Sequence, residues 1–91
     1  MKALPKGASE YARTREFSES SIPANLRRRH RTRPGTWGRI VVLEGRLRYR
    51  ILESAAEAIE LSPNRPGIVE PQVDHEVEPI GKVRFHVEFW R

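Results

Sequence analysis

Residues 67–79 read Gly-Ile-Val-Glu-Pro-Gln-Val-Asp-His-Glu-Val-Glu-Pro. Val73, His75, Val77 and Pro79 share one parity, while Asp74, Glu76 and Glu78 share the other. A strand sends successive side chains to opposite faces, so this pattern predicts a strand with one apolar face and one acidic, wetted face. His75 falls on the apolar side. A buried imidazole needs partners for its ring nitrogens, because an unsatisfied buried polar group costs roughly 1–3 kcal/mol. Two readings meet that need. One is a core histidine bonded to a backbone carbonyl; the other is a metal ligand or acid–base group in a pocket between two sheets.

The chain around it has 91 residues, enough for a single domain, 1–91, with one modest core at 37% hydrophobic residues. It contains no cysteine, which excludes disulfides and thiolate metal sites. Any metal would rest on histidine and carboxylate. No apolar run approaches the roughly 18 residues of a membrane span, and the Met1–Gly7 start lacks a signal-peptide core, so the expected location is cytoplasmic and free of membrane. The net charge of +5 is unevenly spread: residues 1–50 carry 13 Lys/Arg against 4 Asp/Glu, and residues 51–91 carry 4 against 8. Halves so divided can neutralise each other across adjacent strands, which weakens the inference from basicity to a polyanionic partner.

The other segments also alternate. In Lys82–Arg91, Val83, Phe85, Val87 and Phe89 share a face, opposite Arg84, His86, Glu88 and Trp90. Residues 36–52 read as a hairpin: Trp37 to Leu43 forms one arm, Glu44-Gly45 turns the chain, and Arg46 to Leu52 returns. Its second arm points Leu47, Tyr49 and Ile51 inward and Arg46, Arg48 and Arg50 outward, while Ile40–Leu43 is apolar on both parities, as in a central strand. Residues 53–61 favour a loop and then a short strand at 58–61, and Ser62–Gly67 and Pro71-Gln72 are turns. Residues 22–33 hold five arginines within Arg27–Arg33 and suit an edge strand guarded by cations, with Leu26, Arg28 and His30 in line. Residues 1–21 form an arm anchored by Tyr11 and Phe17, with at most one short strand. Short strands with a turn every 8–12 residues imply an all-β sandwich or barrel.

The order of motifs resembles the cupin superfamily. Val41-Val42-Leu43-Glu44-Gly45-Arg46-Leu47 is similar to the end of its first motif, and Pro66-Gly67 through Pro71 to His75 to its second. More narrowly, Arg29-His30, Arg33-Pro34-Gly35, Pro71 through His75 and Phe85–Phe89 resemble the small cupin-like domain that occurs alone in bacteria and ahead of the methyltransferase in TehB-type tellurite-resistance proteins. The resemblance spans about residues 5–91. It implies an all-β, cupin-like double-stranded β-helix (jelly roll), commonly a homodimer and often holding a divalent metal, and no defined reaction; whether the chain is an enzyme stays open.

The first-motif ligands are incomplete. Arg31 and Thr32 follow His30 where a second histidine is usual, and Gly38 occupies the position of the usual glutamate. The expected metal set is therefore His30 and His75, completed by Glu88 or His86 from the last strand. Zinc comes first, with nickel or iron as alternatives. Arg33, Arg39, Tyr49 and Trp37 are the expected pocket residues, the two arginines forming a cationic rim for a small-molecule or oxyanion ligand.

Three functions follow as expectations. The first is a metal-binding stress-response domain that recognises a small anion or oxyanion. The second is a non-catalytic dimerisation or interaction module, using the apolar parity of 83–89. The third, the weakest, is a nucleic-acid binder working through Arg27–Arg33, which lacks a recognition helix and an aromatic stacking platform.

Overall fold

The computed structural model describes residues 1–53 and 56–91. They form an all-β fold: β1 (Glu10–Arg13), β2 (Phe17–Ser18), β3 (Trp37–Ile51), β4 (Glu57–Leu61), β5 (Gly67–Val69) and β6 (His75–Trp90), with one 3-10 turn at Ala24–Arg27. All strand pairs are antiparallel and belong to one sheet. Among the described residues no helix is long and apolar enough to cross a membrane.

The frame is a ladder between β3 and β6, running from Trp37↔Trp90 to Ile51↔His75. The hairpin expected over 36–52 is thus a single strand. Gly45 has φ +79, but its left-handed backbone serves an irregularity inside the strand rather than a reversal. Between Val42↔Phe85 and Glu44↔Arg84 the strand β3 carries one extra residue, Leu43. One inserted residue exchanges the two faces. Before it Gly38, Ile40 and Val42 are buried; after it Leu47, Tyr49 and Ile51 are, and Leu43 is left exposed. On β6 the step from Val83 to Ile80 skips two residues, Gly81 and Lys82, so parity survives and His75, Val77, Val83 and Phe85 all face inward. The segments expected as separate strands at 67–79 and 82–91 are β5 and one long β6, with the turn at Pro71-Gln72 between them. Pro79 fits inside β6 because β3 lies along one side of that half, and the other side, which His30 bridges at His75, is open at Pro79.

At these irregularities the sheet folds over itself. A side-chain carbon on Gly67, which pairs with Ile40, would lie 2.7 Å from Leu61 Cδ1, and Leu61 pairs with Leu47 in the other half. Tyr49 donates its hydroxyl to the Ile68 carbonyl at 2.9 Å across the same gap. The space expected between two sheets is therefore enclosed by two halves of one. Its core holds Phe17, Ile40, Val42, Leu47, Tyr49, Leu61, Val69, Val77 and Phe85. Because Val83 and Phe85 are core residues, the 83–89 parity does not offer the outward apolar interface considered above.

The arm makes two short strands, both against β6. Phe17 is buried and meets the Phe85 ring at 5.6 Å. Tyr11 is 44% exposed, with the Arg91 guanidinium 4.0 Å over its ring, so it lies on the surface and not in the core. Side chains satisfy the open edge of β6: the Val83 N–H donates to Glu19 Oε1 at 3.0 Å, and the Val87 N–H to Thr14 Oγ1 at 3.0 Å. The strand expected over 22–33 is replaced by the 3-10 turn. Pro23 presets φ at −55°, and the Leu26 N–H closes back on the Pro23 carbonyl at 3.0 Å. The chain becomes extended again at Arg28, and at His30 it bridges to His75. The strand expected at 58–61 is β4; the loop expected ahead of it includes residues 54 and 55, which lie outside the described residues.

Candidate functional site

His30 and His75 meet at one edge of the folded sheet. Each donates its backbone N–H to the other's carbonyl, at 2.9 and 2.8 Å. Their rings stand edge to face with centroids 5.4 Å apart, and the Tyr49 ring lies 6.0 Å from that of His75. His75 is 5% exposed, and its Nδ1 lies 3.2 Å from the Val73 carbonyl. Burial holds its pKa below the ordinary histidine value, which favours the neutral ring. His30 Nδ1 is also buried, and among the described residues it has no hydrogen-bond partner. Native structures rarely leave such an atom unmatched without a reason.

Two spaces share His30, Thr32 and Phe89 as wall. One is a largely apolar cavity of about 40 Å³ within the fold, lined by Leu26, Ile40, Val69, Val77, Phe85 and Val87 together with His75 and Thr14. The other is an open cleft of about 330 Å³, walled by Tyr11, Arg31, Arg33 and Thr36. The Tyr11 and Thr36 hydroxyls lie 3.3 Å apart. Asp74 clamps the base of this region: it accepts from Arg31 Nε at 2.7 Å and from Arg29. These two guanidinium groups, Arg31 first, hold the Asp74 carboxyl down to about 2. Arg33 takes part in none of the ion pairs among the described residues.

The remaining expected ligands lie elsewhere. His86 and Glu88 are on the opposite parity of β6, on the outer face of the sheet. Both are covered, at 8% and 7% exposure, by their neighbours on that face. Glu88 lies 3.2 Å from His86 Nε2, accepts from Trp90 Nε1 at 3.0 Å, and has Arg13 at 3.7 Å and Arg39 at 3.6 Å. This polar group ties β1, β6 and β3 together. The expected pair, His30 and His75, and its expected third ligand, Glu88 or His86, are thus divided by the thickness of the sheet, and among the described residues no three histidine or carboxylate side chains are placed to hold one ion. His30 and His75 alone fall short of the three protein ligands a working zinc site takes, and among the described residues no third is placed beside them for nickel or iron either. Of the expected pocket residues, Arg33 lines the cleft. Trp37 and Arg39 fall on the outer face, and Tyr49 spans the interior to Ile68.

Sequence reasoning missed Asp74, Thr32, Thr36 and Phe89. Asp74 was legible in principle. Arg29 and Arg31 flank His30, Asp74 precedes His75, and any pairing of the two histidines brings the charges together. The other three depend on how the arm and the turn before β3 close over the sheet.

A TehB-like domain family model matches residues 12–87. The chain belongs to the TehB-like domain family. It is 34% identical over 68 residues to the Haemophilus influenzae (strain Rd) protein named "Probable S-adenosyl-L-methionine-dependent methyltransferase TehB", and 32% identical to that of strain 10810. In each case the match covers 70% of this chain and 24% of the relative, so this TehB-like domain spans about a quarter of the length of the curated relatives it matches. Its fold is shared with the crystal structure of Haemophilus influenzae TehB (TM-score 0.83, 24% identity, 93% of this chain and 32% of that one). A structural-genomics structure of an E. coli K12 protein is also similar, at TM-score 0.86 and 23% identity, covering 100% of this chain and 97% of the other.

Proposed function

We propose that this TehB-like domain binds a small oxyanion in the cleft beside His30, acting as a recognition module rather than as a catalyst. The observation that carries this is a cleft lined by both His30, whose buried Nδ1 has no partner among the described residues, and Arg33, which no carboxylate among them engages. A guanidinium fork matches the paired oxygens of an oxyanion, and an imidazole N–H adds a directed donor. The Thr36 and Tyr11 hydroxyls supply further donors on the same wall. The cleft is about 330 Å³, the scale of a small-ligand site. We read the folded-over sheet as a cupin-like jelly roll with this cleft at its mouth; the bend of the β3–β6 ladder and its enclosed core support that reading.

In the longer relatives, whose name gives them a methyltransferase activity, such a module would hold an anionic substrate or signal for the rest of the chain. Calorimetry and imidazole NMR with phosphate, selenite and tellurite test the proposal. Saturable binding that shifts the His30 ring signals and weakens at least tenfold in Arg33→Ala and His30→Ala is the expected result. Unchanged affinity in both variants would remove the cleft as the site.

A further inference from the structure

The cleft and the cavity adjoin at three residues common to their linings, and their chemistries contrast. On one side of His30, Thr32 and Phe89 are the guanidinium of Arg33 and the hydroxyls of Tyr11 and Thr36. On the other the lining is mainly apolar, with Leu26, Ile40, Val69, Val77 and Val87 beside His75 and Thr14. An inorganic oxyanion would use the first space and leave the second unfilled. A cavity of about 40 Å³ holds roughly three non-hydrogen atoms at the volume one water needs. It is far too small for a nucleoside or a sugar.

Resting on the cleft as an anion site, we infer that the ligand is a short-chain carboxylate, with its head among Arg33, His30 and Thr36 and an apolar tail of about two to four carbons in the cavity. Head and tail divide the recognition. The cleft selects for charge, and the cavity selects for length, because a tail longer than the space must push apart Ile40 and Val69, which sit on paired strands of a packed sheet. Each methylene that enters gains about fourfold in affinity by leaving water, until the space is full.

Titration calorimetry at constant ionic strength with acetate, propionate, butyrate, valerate and hexanoate tests this, with selenite as the tail-less head. The expected dissociation constant falls about fourfold per methylene through butyrate or valerate and rises again at hexanoate. Leu26→Trp, on the 3-10 turn outside the sheet, should bring butyrate back to the affinity of acetate while leaving selenite unchanged. Val87→Ile, a gentler change, should shorten the preferred tail by one carbon. Binding of selenite and acetate with no dependence on chain length overturns the tail and leaves the cleft. Binding of none of these anions overturns the cleft and the tail with it.

Discussion

His30 and His75 exchange both backbone hydrogen bonds, at 2.9 and 2.8 Å, while their imidazoles meet edge to face at 5.4 Å. Among the described residues the contact is the only pairing β6 makes on its open edge at that end, so the chemistry of the two rings and the closure of the fold rest on the same few atoms.

Stability should therefore depend on pH through His75. Burial lowers its pKa in the folded state, so on acidification the unfolded chain takes up the proton first. The stabilisation is full above the ordinary histidine value of about 6.5 and is lost as pH falls from there through the lower folded value. Urea unfolding at pH 7.5, 6.5 and 5.5 should show a falling midpoint that His75→Gln flattens. An equally steep fall in the variant would assign the effect to other groups.

Asp74 acts in a lower window. Arg31 and Arg29 hold its carboxyl at about 2, so its contribution is present above the ordinary carboxylate value of about 3.9 and fades as pH drops towards 2. Both arginines are more than half exposed, and solvent screens such pairs, so Asp74→Asn should barely move the midpoint at pH 7. The variant should lose a correspondingly small part of the acid-induced transition below pH 4, followed by far-UV circular dichroism.

Gly45 is the backbone position least open to replacement. Its φ is +79°, and a side-chain carbon there would stand 2.1 Å from the Lys82 carbonyl oxygen, a backbone atom that cannot rotate away. Gly45→Ala should cost about 1–3 kcal/mol in conformational strain alone, with the clash in addition. Gly35→Ala is the control, since it shares a positive φ but has open space around it. Thermal melts of the two should differ by several degrees; equal melts would contradict the crowding at Gly45.

Tyr49 joins the two halves of the sheet through one hydroxyl. Tyr49→Phe leaves the Ile68 carbonyl without that donor and should cost about 1 kcal/mol, whereas Tyr49→Ala opens a core cavity and should cost about 3–5 kcal/mol. Equilibrium denaturation separates the two. A Phe variant as stable as the parent would mean that water replaces the bond.

Much of the interior was legible in local pattern. Leu47, Tyr49 and Ile51 point inward and Arg48 and Arg50 outward as their alternation requires, and His75 is buried with the valines. What pattern could not reveal was where irregularities fall. Glu44-Gly45 has the composition of a turn, and only the distant partner β6 makes it a bulge, because the strand gains more by continuing a long ladder than by reversing. The same irregularity explains why Ile40–Leu43 is apolar on both parities: Leu43 is the supernumerary residue. The site suffered for a related reason. Alternation already put His75 and His86 on opposite parities, yet the resemblance grouped them as ligands, and the structure keeps the parity. The 3-10 turn at Ala24–Arg27 gave no apolar period to read.

The long ladder also bears on how the molecule assembles. Its partners closest in sequence are Ile51 and His75, and its most remote are Trp37 and Trp90. Closing the smaller loop first loses less chain entropy, so zipping should begin beside the histidines and run past the bend towards the tryptophans, with the arm docking last. Such a route is slow for a chain of this size, and it makes the histidine pair the oldest part of each newly folded molecule, while the cleft walls at Tyr11, Thr36 and Phe89 close last.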